Sequence, residues 1–332
     1  MLAARFPHPA SGAPTNEGQN LAVSTEGFRN SRVLVTGGTG SIGSGLVEEL
    51  RRLGAREIRV VARRKRGPQG SSGPSDVRFV RADISDIGAL ADAVEGVDLI
   101  FHLAALKDVV ACEADPDAAL RTNVSGSANV LTAATNEPRV RRLIAVSSDK
   151  ACAPWGVLGM TKALMERIVT ETALKSRRSF GSVRLGNVWG ASGSVLKRWQ
   201  HSADREGHID VTDPMMTRFV LTQQEAVQHL LTLASRPFAG EVVAPRMRAY
   251  RLGDLADAFA EERGASVRLI GARAGEKMHE DLVSKEEAPT AHVEGDLIVI
   301  GGGREGRGID PFSSADAEIV PEMELRELVR SS

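Results

Sequence analysis

The sequence predicts an α/β protein: a doubly wound parallel sheet carrying a smaller C-terminal substrate lobe. Three observations predict it. Short β-rich runs alternate with longer helical ones from about residue 31, a glycine triplet directly follows the first of these runs, and the alternation fades after about Gly186. Strands separated by helices imply right-handed crossovers and a sheet covered on both faces.

Residues 1–30 mix Pro, Gly, Ser and Asn without periodicity and lack the continuous apolar core of a secretory signal. They are expected to form a disordered leader. Arg32–Thr36 is the first predicted strand, and Leu46, Val47, Leu50 and Leu53 then recur at helical spacing. Further strands are predicted at Glu57–Ala62, 77–82, 97–102 and 143–147. Residues 31–186 are therefore read as a dinucleotide-binding domain with the Rossmann arrangement. The polar run 66–75 is an expected loop. Residues 187–332 are read mainly as the substrate-binding lobe, with segments returning to the first domain, and the last dozen residues are expected to be loosely held.

Bulk properties narrow the function classes. Of the 332 residues, 42% are hydrophobic and 26% charged, an ordinary globular balance. A net charge of -1 gives no general attraction to nucleic acid or an anionic membrane, so an anionic ligand must be held by local basic groups. No apolar run approaches the roughly 20 residues that a spanning helix needs. Cys112 and Cys152 cannot build a disulfide framework or a metal cage, and no metal is expected. A cytoplasmic protein fits these observations.

The run Val33 to Gly43 places Gly37, Thr39, Gly40, Ser41, Ile42 and Gly43 between a strand and a helix. Gly37 suits a tight turn, Gly40 a close approach of pyrophosphate, and Gly43 close helix packing. The free N–H groups of the helix start would then bind the phosphates. The spacing G-x-x-G-x-x-G resembles the extended branch of the short-chain dehydrogenase/reductase superfamily. Arg63 and Arg64 end the second strand, where a basic group suits the 2′-phosphate of NADP, with NAD as the other possibility. Asp83, followed by Ile84, matches the position that contacts adenine in that superfamily.

At the end of the fifth predicted strand stands Ser147-Ser148-Asp149-Lys150-Ala-Cys-Ala-Pro154, then Leu158-Gly-Met-Thr-Lys162. This resembles the inverting UDP-N-acetylglucosamine 4,6-dehydratases, the CapD-like proteins of bacterial polysaccharide biosynthesis. The segments 102–107, 122–124, 183–190, 212–219 and 273–280 agree, so the resemblance covers most of the chain. It implies a lyase reaction: hydride leaves C4 of the sugar, water is lost across C5 and C6, and the hydride returns to C6. Such chemistry needs a general acid and a general base beside C5 and C6. By resemblance, Asp149 protonates the leaving hydroxyl, Lys150 takes the C5 proton, Ser148 bonds the sugar O4, and Lys162 holds the nicotinamide ribose. As a base, Lys150 would need a lowered pKa.

The superfamily's Tyr-x-x-x-Lys motif is broken at Leu158, and the single tyrosine is Tyr250. Asp149, Lys162 or an ordered water are the candidates for its proton transfer. Cys152 and His102 are read as structural. For the nucleotide diphosphate, Arg218 and Arg273 are the leading basic groups. Lys107, Asn187 and Glu276 complete the expected substrate set. A homo-oligomer follows by family analogy alone. Competing readings are a nucleotide-sugar epimerase or ketoreductase on the same fold, a 5,6-dehydratase that stops at the alkene, and a non-catalytic NADP-binding relative.

Overall fold

Alternating buried strands and amphipathic helices assemble as the periodicity requires. A computed structural model describes residues 27–63, 76–191, 193–302 and 308–331. Residues 1–26 of the expected leader, Arg64 and the loop 66–75 lie outside the described residues. In chain order, β1 (Arg32–Thr36) leads to α1 (Ser41–Arg52), β2 (Glu57–Ala62), β3 (Asp76–Arg81), α2 (Ile87–Val94) and β4 (Leu99–His102). There follow α3 (Val109–Ala114), α4 (Pro116–Ala119), a π-helical turn at Leu120–Gly126, α5 (Ser127–Asn136), β5 (Arg142–Ser148), α6 (Val157–Ser176) and β6 (Ser179–Leu185).

The second half supplies β7 (Asn187–Val188), α7 (Val195–Glu206), β8 (His208–Val211), β9 (Thr217–Leu221), α8 (Gln223–Ala234), β10 (Val242–Pro245), β11 (Arg248–Arg251) and α9 (Leu252–Arg263). It closes with β12 (Ser266–Leu269), β13 (Asp281–Val283), β14 (Ala291–Glu294), β15 (Leu297–Ile300), β16 (Phe312–Ser313) and α10 (Glu322–Arg330).

Among the described residues, the main sheet has nine strands in the order β14-β15-β10-β6-β5-β4-β1-β2-β3. It is parallel from β3 to β10, and β15 and β14 join antiparallel at the far edge. Strand order reverses between β1 and β4, which opens the ligand crevice of a doubly wound sheet at the C-terminal ends of those strands. Val33, Val35 and, from α1, Leu46 and Leu50 are fully buried on one face of the sheet. Leu34, Ile100 and Leu143 fill the other.

Helix α8, which follows Gly186 in the chain, lies against α1, where Val227 faces Gly45. Two segments depart from the expected boundaries. Phe28, assigned to the leader, is 2% exposed and packs in the main core, where its carbonyl accepts from Ser31. The C-terminal residues are held rather than loose: Leu325 and Val329 of α10 are buried beside α9, and Arg330 pairs with Glu262 at 2.9 Å. No described helix is long and apolar enough to cross a membrane.

The lobe has its own core, with Trp199, Ile209, Leu255 and Phe259 at its centre. A separate buried ion cluster ties β6 to α6 and to the segment between β13 and β14. Arg184 on β6 makes paired bonds to Glu166 of α6 (3.0 and 2.8 Å) and to Glu287 (2.8 and 2.6 Å). Each guanidinium face thus meets a matching carboxylate fork.

Candidate active site

Between sheet and lobe lies a cleft of about 750 Å³. At its β1 end the chain turns through Gly37, whose φ is +70°. A Cβ on Gly37 would sit 2.7 Å from the Ala104 nitrogen, and one on Gly43 only 2.4 Å from the Gly37 carbonyl oxygen. Only glycine fits at either point. Gly40 precedes α1 without a side-chain cap, so no side chain of the N-cap covers the positive dipole end of the helix. Thr39, Gly40, Ser41, Ile42 and Gly43 all line the cleft, as do Arg63, Asp83 and Ile84 further along the same wall. Asp83 accepts from the Ser85 N–H and hydroxyl, both at 2.9 Å, and these bonds hold its carboxyl below the usual range. The fit to a dinucleotide rests on this glycine cradle.

At the end of β5, Ser148 and Lys150 reach the cleft wall, while Asp149 is 0% exposed behind them. Asp149 Oδ1 accepts from Ser148 Oγ (2.8 Å) and Lys150 Nζ (3.0 Å), and its Oδ2 has no hydrogen-bond partner. Burial pushes the Asp149 carboxyl up against the pull of Lys150.

The condition set for Lys150 is not met. Burial opposes its charge, yet Asp149 and Glu280 together hold the ammonium above its ordinary range. The Glu280 carboxylate stands 3.3 Å from Lys150 Nζ. As folded, Lys150 is a cation rather than a base.

Lys162 differs. It lies one turn beyond Leu158 on α6, and both line the cleft. Its ammonium donates to the Val146 carbonyl (2.7 Å) and contacts Met165 Sδ, and burial pulls its pKa down to about 8. The π-helical turn helps to place it: Asn123 bonds both backbone groups of Leu106 and donates to Thr161 at 3.1 Å. Leu158 packs against Cys112 and Ala119 and offers no proton.

His102 is structural. Its ring lies between Thr36 and Ser127 at 2.7 and 2.8 Å, and burial drives its pKa down to about 3. Ser127 already donates to the Asn123 carbonyl, so His102 donates from Nε2 and accepts at Nδ1. The Cys152 thiol is buried and donates to Glu287 at 3.2 Å.

The expected substrate residues converge on the cleft but separate into two groups. Asn187 and Arg218 stand with the Asp149–Lys150–Glu280 cluster: Asn187 Oδ1 accepts from Lys150 at 3.3 Å, and Arg218 Nε is 3.8 Å from Glu280. Arg218 also donates to the carbonyls of Thr217 and Met278. Lys107, Arg273 and Glu276 line other parts of the wall, with Glu276 accepting from the Arg273 N–H at 3.4 Å.

Glu280 and Tyr250 are among the cleft residues given no role from sequence. Glu280 closes the segment 273–280, but no spacing rule connects it to Lys150. Tyr250 sits opposite Arg218 in the β9–β11 pair, accepts from Asn187 Nδ2 at 3.3 Å, and meets Trp189 edge to face. Only the lobe's fold brings it to the cleft.

Comparison with known proteins places the chain among similar proteins. The family model described as "Polysaccharide biosynthesis protein" matches residues 33–301. An uncharacterized membrane protein of Methanocaldococcus jannaschii is 32% identical over 91% of this chain and 96% of its own. A UDP-glucose 4-epimerase of Rickettsia typhi is 34% identical over 80% and 81%. The X-ray structure of Pen from Bacillus thuringiensis superposes with a TM-score of 0.86 at 29% identity, covering 92% of this chain and 98% of that one. MoeE5, solved with UDP-glucuronic acid and NAD, gives 0.65 at 26% identity over 74% and 87%.

Proposed function

The chain belongs to the polysaccharide biosynthesis protein family of extended short-chain dehydrogenases/reductases, and from that premise we propose that it is a 4,6-dehydratase acting on UDP-N-acetylglucosamine or a close relative. At the coarser level it is a nucleotide-sugar-modifying enzyme that works with a nicotinamide cofactor. The observation that carries the finer reading is the buried carboxyl of Asp149, bonded to both Ser148 and Lys150 at the cleft wall. Loss of water across C5 and C6 needs an acid and a base at one place. Simple C4 epimerisation needs a base at O4 but no acid–base pair at C5 and C6.

When bound, the cofactor supplies a hydride acceptor at C4 and a hydride donor at C6. The chain supplies the proton transfers. Lys162 takes the proton of the C4 hydroxyl, the task that Leu158 leaves open. Transfer of a proton across the 3.0 Å bond from Lys150 to Asp149 makes an amine and a carboxylic acid. The amine takes the C5 proton, and the acid delivers its own through Ser148 to the C6 hydroxyl, which departs as water. The Lys150 ammonium returns a proton to C5, and Lys162 restores that of Asp149 through solvent between turnovers.

Arg63 on the cofactor wall favours NADP through its 2′-phosphate. Lys107 and Arg273 would hold the diphosphate, Glu276 a ribose hydroxyl, and Asn187 and Arg218 the sugar end. Incubation with UDP-N-acetylglucosamine and NADP should give a product lighter by one water. An isomer of unchanged mass would refute dehydration. It would favour the second reading, a 4-epimerase, to which the Rickettsia relative's name points. Proton spectra separate a ketone from a 5,6-alkene.

A further inference from the structure

Glu280 has no part in the steps above, yet it is 2% exposed and faces Lys150 from the lobe. Its Oε1 lies 3.3 Å from Lys150 Nζ and 3.8 Å from Arg218 Nε. Its Oε2, 3.7 Å from Lys277 Nζ, makes no hydrogen bond. The Ser314 hydroxyl fixes its backbone by accepting from the Glu280 N–H at 2.9 Å. A buried carboxylate with one oxygen unsatisfied is costly to keep. Its charge is the compensating property.

The groups facing Lys150 define that role. Asp149 comes from the end of β5, neutral Asn187 from β7, Arg218 from β9, the phenol of Tyr250 from β11, and Glu280 from the segment before β13. With Asp149 alone, a proton moved from Lys150 neutralises both charges of the pair. With Glu280 present, the same move leaves a buried carboxylate that has lost its nearest cation. Arg218 and Lys277, more distant, only partly replace it.

We propose that Glu280 is a positioning residue through which the substrate lobe controls the proton of Lys150: in place it keeps Lys150 an ammonium, and its removal releases the amine. The catalytic consequence rests on the dehydratase reading; the charge control does not.

Competitive acetylation of Lys150 with acetic anhydride across a pH series, read by peptide mass spectrometry on the cofactor-free protein, tests the charge control directly. Glu280→Gln should lower the apparent Lys150 pKa by about 1 to 3 units, the shift typical of an opposite charge within 4–6 Å, with Glu280→Asp between. An unchanged labelling curve in a Glu280→Gln protein that melts cooperatively would overturn the proposal. The second arm follows deuterium entry at C5 of the sugar in heavy water. At about pH 9, above the Lys162 limb, Glu280→Gln should speed exchange by about the factor that the labelling shift implies, and an unchanged rate would refute control of catalysis through Lys150. Absence of C5 exchange in the wild type at every pH would instead overturn the dehydratase reading, leaving Glu280 to be judged by labelling.

Discussion

Replacing Lys162 with methionine tests the assignment of the first proton transfer. The side chain length is kept while the titratable group goes. Burial brings the Lys162 pKa from 10.5 to about 8. At pH 7 the amine is then about one molecule in eleven, against about one in three thousand at the ordinary value, a gain of roughly 300-fold in competent base. The sign follows from the base form: activity is complete above about pH 8 and is lost as pH falls through it, about tenfold per unit. The assay is single-turnover appearance of reduced nicotinamide after mixing with UDP-N-acetylglucosamine. Lys162→Met should slow it by about 10² to 10⁴ and abolish the limb. Cofactor affinity, measured separately, corrects for any loss of binding. A wild-type rate flat between about pH 6 and pH 9, or a limb that survives in Lys162→Met, would refute the reasoning.

Three other outcomes are expected. Gly43→Ala places a methyl 2.4 Å from the Gly37 oxygen and must push α1 away from the phosphate site, so NADPH affinity by fluorescence titration should fall at least about tenfold. Arg63→Ser should weaken NADPH by a similar factor, about 1.5 to 3 kcal/mol for a charged hydrogen bond, while NADH binding stays within about twofold. Arg184→Met leaves Glu166 and Glu287 buried without their cation, and denaturant unfolding should show a loss of about 3 to 5 kcal/mol.

Much of the first domain was legible in the sequence because its signals are local. The strands at Arg32–Thr36 and Glu57–Ala62 announce themselves by composition and flanking turns, and the glycine loop is a contiguous motif whose steric demands Gly37 and Gly43 show directly. The block from Ser148 to Lys162 was read from the sequence as a candidate reactive cluster. What the sequence could not determine was which of its groups face the cleft and which are charged. Asp149 lies behind the wall, Lys150 is held as a cation by a carboxylate from the lobe, and Lys162 is brought towards neutrality by burial. These are properties of what lies within a few ångströms in a medium of low dielectric, and segments far apart in the chain supply it. Sequence alone determined the residue types available for proton transfer; tertiary structure decided which of them hold a proton.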